Sequence, residues 1–258
     1  MSRLPAEIAA LTDPGLNREQ NEDCIGYSRE YGIAVLADGM GGHQAGEVAS
    51  KIAVDSVLRG LQKLIAGKNA GSITGSQLLE FVSNTISNSN ARIFEAATAN
   101  TSHKGMGTTL VAAILLESRL YVGHVGDSRV YLFRNQELKR ITKDHSLIQD
   151  LVDKGFYTED EARSASVKHV VTRALGAGRE VEVDTIEHEV EENDLLLLCS
   201  DGLTDMLSDG VIAEVLGDAS AGLENKAKNL VDLANRHGGK DNISVILIRQ
   251  SADRPPTI

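Results

Sequence analysis

Ile33-Ala34-Val35-Leu36-Ala37-Asp38-Gly39-Met40-Gly41-Gly42-His43 starts as an unbroken apolar run and stops at a carboxylate followed by a glycine. An apolar run without polar alternation predicts a strand buried on both faces. Asp38 then stands where that strand leaves the core, on a rigid support. Gly39 lets the backbone turn sharply and lets its own carbonyl approach whatever Asp38 faces. Alone, Asp-Gly after a strand is ordinary turn chemistry. The design recurs, however. Leu195 to Cys199 is a second apolar run, and Asp201-Gly202 follows one residue later. Leu120 to Val125 leads into Gly126-Asp127-Ser128-Arg129, and Asp241 stands just ahead of the run Ile243 to Ile248. Thr109 to Leu116 is a further buried strand, joined to Leu120 by a hairpin turn at Glu117-Ser118-Arg119. Aspartates at several strand ends of one sheet system can converge on a point.

Around these strands the periodicity changes. Ala45 to Ile65, Gln77 to Ala97 and Leu223 to His237 carry apolar residues at the three-to-four spacing of amphipathic helices, the last stopping at Gly238-Gly239. Strands come in groups, and the strict β-α-β-α alternation of a doubly wound chain is missing. Gly67 to Gly75 reads as a polar loop between helices, and the tail from Ser251 as a frayed end. The charged stretch from Thr142 to Glu180 includes a capping-box match from Thr158 to Glu161. It reads as an excursion bordering a site, at about 142–180 of a single domain spanning 1–258.

Composition narrows the chemistry. Of 258 residues 41% are hydrophobic but only 3% aromatic, with no Trp, so the core is built from Val, Ile, Leu and Ala. The net charge of −11 and the absence of a basic stripe argue against nucleic acid and against anionic lipid. No apolar stretch approaches the ~18 residues of a membrane span. Cys24 and Cys199 form no CxxC pair, and two distant cysteines in a full-sized domain suit a reduced, cytoplasmic protein. There is no P-loop, no G-x-G-x-x-G after a strand and no H-E-x-x-H.

What remains is hard-oxygen chemistry. Carboxylates and backbone carbonyls are the ligands that Mg²⁺ and Mn²⁺ prefer. Arg18-Glu19-Gln20-Asn21-Glu22-Asp23 sets a cation among acids. Its planar fork suits phosphate, and a surface salt bridge is the competing role. For His124 and His145 structural roles are expected, and for both cysteines buried packing.

Taken in order, Arg18-x-x-Asn21-x-Asp23, Ala37-Asp38-Gly39-Met40-Gly41-Gly42-His43, Gly105-Met106-Gly107-Thr108-Thr109, Val125-Gly126-Asp127-Ser128-Arg129, Cys199-Ser200-Asp201-Gly202-Leu203-Thr204-Asp205 and Lys240-Asp241-Asn242-Ile243-Ser244 make the chain resemble the type 2C, or PPM, family of metal-dependent Ser/Thr protein phosphatases in its compact bacterial form. The resemblance implies an α+β fold: a four-layer α-β-β-α sandwich with a central pair of antiparallel sheets. It implies two Mn²⁺ or Mg²⁺ ions per site, with a weaker third. Asp38 would bridge the two, Asp201 and Asp241 would complete the first site, and the Gly39 carbonyl with Asp23 would serve the second. Asp127 with Asp201 and Asp205 would hold the third. A metal-bridging hydroxide would attack phosphoserine or phosphothreonine, Arg18 would steady the phosphoryl oxygens, and the segment from Thr142 to Ala174 would be a flap near substrate. The leaving oxygen needs a proton. Many eukaryotic relatives carry His after the Asp-Gly where this chain has Met40, which leaves His43 or a metal-bound water as donor. The implied partners are phosphorylated proteins made by a Ser/Thr kinase, met by a monomer. A two-metal nuclease is disfavoured by the acidic surface, and a non-catalytic phosphoprotein binder by the retention of Asp23, Asp38, Asp201 and Asp241.

Overall fold

The computed structural model describes residues 6–41, 45–67, 73–158, 161–162 and 165–250. Twelve strands are ordered as β1 (Ala6–Asp13), β2 (Cys24–Ser28), β3 (Ile33–Ala37), β4 (Gly39–Met40), β5 (Gly107–Thr108), β6 (Leu110–Leu116), β7 (Arg119–Val125), β8 (Arg129–Arg134), β9 (Glu137–Arg140), β10 (Asp184–Glu189), β11 (Leu195–Cys199) and β12 (Ile243–Gln250). The helices are α1 (Ala45–Ala66), α2 (Gly75–Ala99), α3 (Leu147–Asp153), α4 (Asp201–Thr204), α5 (Asp209–Gly217) and α6 (Leu223–Arg236). One five-stranded sheet runs β1-β12-β11-β8-β9, the other β10-β7-β6-β3-β2, and every pairing within them is antiparallel. A two-stranded ribbon of β4 and β5 stands beside them.

Side-chain alternation explains the layers. In β3, Ala34 and Leu36 point to the layer between the sheets, which they fill with Val111 and Val122 of their own sheet and Ile8, Val130, Leu196 and Ile246 of the facing one. Ile33, Val35 and Ala37 turn the other way, against Ala49, Ala53, Val57 and Leu61 of α1 and Val82 and Ile86 of α2. In β11, Leu196 and Leu198 join the central layer while Leu195, Leu197 and Cys199 pack on Leu230, Val231 and Ala234 of α6. Each sheet is covered on both faces, so its central strands are apolar throughout, at about 1.5–3 kcal/mol for each large side chain withdrawn from water. This is the expected α-β-β-α sandwich.

The apolar runs and the three long helices lie where periodicity predicts them, with α2 extended at both ends to 75–99 by a capping box between Thr74 and Gln77. The Thr158–Glu161 capping box also forms, Glu161 N donating to Thr158 Oγ1 at 3.3 Å and Thr158 N to Glu161 Oε2 at 2.8 Å. Only the outer residues of the Gly67–Gly75 loop are described, and the tail from Ser251 lies outside the described residues. No described helix is long and apolar enough to cross a membrane.

Candidate metal centre

Strand ends of both sheets meet at one end of the sandwich. Asp38 follows β3, and Asp127 follows β7, in the same sheet. Asp201 follows β11 and Asp241 precedes β12, both in the other. The backbone at Asp38 is fully engaged: its N–H donates to Thr109 Oγ1 at 3.0 Å, and its carbonyl accepts from Thr109 N and Thr108 Oγ1, each at 2.8 Å. The carboxylate is left to the cavity. Gly39 pairs with Thr108 in the small ribbon. A β-carbon there would lie 2.3 Å from the Gly46 carbonyl oxygen and 2.5 Å from that of Glu22, so only glycine admits this approach.

The other supports come from a polar lattice. Asn242 donates from its side-chain nitrogen to the Pro14 and Gln20 carbonyls and accepts Glu22 N–H at 2.8 Å, tying the acidic loop to the start of β12. Ser200 donates to Asp23 Oδ2 at 2.9 Å and accepts from Ser244 N at 3.0 Å. Asp201 opens the short helix α4, and Gly202 behind it is pressed against the Asn242 carbonyl. Arg18 donates to Asp241 Oδ2 at 2.8 Å, with about half of each side chain exposed. The salt bridge predicted as an alternative is thus present, at the rim where a phosphate would arrive.

A cavity of about 590 Å³ gathers Arg18, Glu22, Asp38, Gly39, Asp127, Asp201, Asp205 and Asp241. Asp23 does not line it; it sits behind, on Ser200. Glu22, which sequence reasoning passed over, lines it instead, and its Oε1 is buried without a hydrogen-bond partner. Asp23 Oδ1 is likewise unpartnered. Burial, then the Asp23, Asp201, Asp127 and Asp241 charges, hold the Asp38 carboxyl well above the usual range. Burial pushes Asp23 up to about 7, against hydrogen bonds from Ser244 and Ser200. Burial and then Asp201 and Asp144 push Asp127 to about 8, and burial with Asp205 and Asp241 pushes Asp201 to about 6. Close acids with orphaned oxygens and few cations are an unbalanced charge. The donor set, carboxylates with one bare backbone, fits Mg²⁺ or Mn²⁺ and suits a softer metal poorly.

The predicted excursion closes one side. Thr172 N donates to the His145 carbonyl, and Ser146 bridges Val171. Lys168 Nζ lies 3.0 Å from Asp205 Oδ1 and His169 Nδ1 3.1 Å from Oδ2, so Asp205 is brought to the cavity already paired. His169, Asp201 and Asp205 offer atoms within 4.8 Å of one another, and neither Lys168 nor His169 was singled out by sequence. His43 lies outside the described residues. His145 accepts Gly126 N–H at 3.1 Å through Nδ1 and stacks on His124. Cys199 is fully buried and Cys24 half-buried, neither in a disulfide.

Residues 17–238 match the family model described as Protein phosphatase 2C. A serine/threonine phosphatase named stp from Listeria innocua is 38% identical over 93% of this chain and 94% of its own length. The crystal structure of the Mycobacterium tuberculosis serine/threonine phosphatase PstP/Ppp superposes with a TM-score of 0.85 at 38% identity, over 96% of this chain and 100% of that one. The catalytic domain of PstP in complex with two manganese ions gives a TM-score of 0.81 at 39% identity, over 95% of this chain and 98% of that one.

Proposed function

The chain belongs to the protein phosphatase 2C family, and from that premise we propose how its carboxylate cavity hydrolyses phosphoserine and phosphothreonine in proteins. It is a metal-dependent protein-serine/threonine phosphatase. The observation that carries the residue assignment is the unbalanced charge at Asp38, which stands among Asp23, Asp127, Asp201 and Asp241, only the last of which has an ion-pair partner among the described residues, Arg18. Asp38 would serve both of two Mn²⁺ or Mg²⁺ ions, with Asp201 and Asp241 completing one site and the Gly39 carbonyl the other. Glu22, which lines the cavity with an unpartnered oxygen, would help hold the second ion, with Asp23 behind it on Ser200. Asp127, with Asp201 and Asp205, would hold a third ion. Bound there, such cations supply positive charge against the phosphoryl oxygens and acidify water enough for hydroxide to form near neutral pH.

The remaining work falls to side chains. Arg18, at the rim and tied only to the half-exposed Asp241, can turn its fork to two phosphoryl oxygens. No residue of the chain need act as a nucleophile. The departing seryl or threonyl oxygen takes its proton from His43, an assignment that rests on sequence. The described residues act as one catalytic unit, with 142–180 as a flap over substrate. The protein works as a cytoplasmic monomer on phosphoproteins made by a Ser/Thr kinase.

Asp38→Asn tests the core of this reading. It is expected to abolish hydrolysis of a phosphothreonine peptide and to lower the calorimetric Mn²⁺ stoichiometry. Unchanged activity at saturating Mn²⁺ would remove Asp38 from the mechanism. His43→Gln is expected to slow phosphothreonine peptides while sparing p-nitrophenyl phosphate, whose leaving group needs no proton.

A further inference from the structure

Met40 follows the Gly39 carbonyl directly, half-buried, and it lines two cavities at once. One is the acidic cavity described above. The other, of about 250 Å³, is also lined by Met40. Its walls are Met40, Phe94 and Ala97 of α2, Met106, and Ala174 and Ala177 at the root of the flap. No carboxylate lines it, and the exposed Lys104 is its single charged side chain among the described residues. The two compartments thus have opposite chemistry and share Met40 as a wall: one is a hard-oxygen cage, the other a carbon-lined pocket.

This inference rests on the phosphatase reading and goes beyond it to the substrate. We propose that the pocket beside Met40 receives an apolar side chain of the phosphoprotein next to the phosphorylated residue, so that the enzyme selects phosphothreonine and phosphoserine with an apolar neighbour. Met40 lines both cavities, so a polypeptide whose phosphate reaches Asp38 can lay a neighbouring residue across Met40 into the pocket. The space suits one aliphatic or aromatic side chain. Both thioethers, Met40 at the rim and the buried Met106 at the floor, are flexible enough to close around residues of different shape. A basic neighbour would be stripped of water there without a carboxylate to receive it.

The test compares phosphothreonine peptides that differ only in carrying Leu or Ser at the positions flanking the phosphoresidue, with p-nitrophenyl phosphate as a substrate that has no neighbours. The wild-type enzyme is expected to prefer the Leu peptide by about 10-fold or more in kcat/KM. Ala97→Phe, which fills the pocket from α2, is expected to erase the preference and leave p-nitrophenyl phosphate unchanged, and Ala177→Phe, which fills it from the flap root, is expected to erase the preference as read from the ratio of the two peptide rates. Two variants on separate elements, each checked by thermal melting, guard against one failing to fold. Equal rates on both peptides in the wild type, or a preference that survives in the folded variants, would overturn the proposal. Failure to hydrolyse any of the three substrates with Mn²⁺ would overturn the phosphatase reading beneath it.

Discussion

Gly202→Ala adds one methyl group and should cost most of the activity. The new β-carbon would lie 2.0 Å from the Asn242 carbonyl oxygen and 2.9 Å from the carbon of that carbonyl, both backbone atoms. Ordinary contact begins at 3.4 Å, so α4 and the start of β12 must separate by about 1.4 Å. Neither side yields easily. Asn242 is fixed by its bonds to Pro14, Gln20 and Glu22, and Ser200 by its bonds to Asp23 and Ser244. Asp201 and Asp241 ride on the two parts forced apart. A displacement of about 1 Å at a reacting centre costs on the order of 100-fold in rate, or about 2.7 kcal/mol of barrier. Overpacking a close contact costs a further ~1–3 kcal/mol of stability. Steady-state kinetics on a phosphothreonine peptide and thermal melts would read these two effects, and Mn²⁺ calorimetry the accompanying loss of metal affinity. The control is Gly210→Ala in α5, where the added carbon meets nothing nearer than Ser208 Oγ at 3.9 Å. That change should stabilise the protein by about 0.4–1 kcal/mol and leave kinetics alone. Wild-type kcat and Mn²⁺ affinity in Gly202→Ala would refute the argument that this contact sets the spacing of Asp201 and Asp241.

Arg18→Ala should raise KM for phosphopeptide more than it lowers kcat, and it should barely move the melting temperature, since an exposed pair of this kind contributes about 0–1 kcal/mol; an unaltered KM would leave Arg18 as a salt bridge only. Chelated protein should melt at progressively lower temperature from pH 6.5 to 8.5. Asp23 and Asp127 titrate at about 7 and about 8 when folded against an ordinary 3.8, so their stabilising contribution is complete below 3.8 and is lost as pH rises through the folded values. Saturating Mn²⁺ should flatten that slope, and a slope unchanged by Mn²⁺ would contradict the ligand assignment. Lys226→Met should destabilise by about 1–3 kcal/mol while sparing activity, because the buried ammonium caps α5 by donating to the Leu216 and Asp218 carbonyls at 2.5 and 2.6 Å; an unchanged melting temperature would show that water replaces it.

Much of the fold is legible in runs such as Leu195 to Cys199, because a strand covered on both faces has no solvent side to dilute its apolar signal. The edge strands are silent for the converse reason. β10, Asp-Thr-Ile-Glu-His-Glu, has no buried residue and carries charge along the sheet margin, which guards against edge pairing but resembles a loop. β9, Glu-Leu-Lys-Arg, is short and half-exposed. At the centre, the strand-end aspartates were readable from their position after or before apolar runs. Glu22 and Asp23 were not separable, because adjacent residues in extended chain face opposite ways and the sequence does not say which way is inward. Lys168 and His169 sit in a charged stretch without periodicity, so nothing short of the fold could bring them to Asp205.

The pairing of β1 with β12, in register from Ala6 opposite Gln250 to Asp13 opposite Ile243, has a consequence for synthesis. β12 is an interior strand, lying between β1 and β11. On a ribosome, β1 emerges early and waits without its neighbour until residues beyond 240 have been added. Asp241 arrives in the same final stretch. Contacts this distant along the chain are slow to form and leave edges exposed meanwhile. Until Asp241 and β12 have been added, β1 has no partner at its edge and the cavity lacks one of its carboxylates.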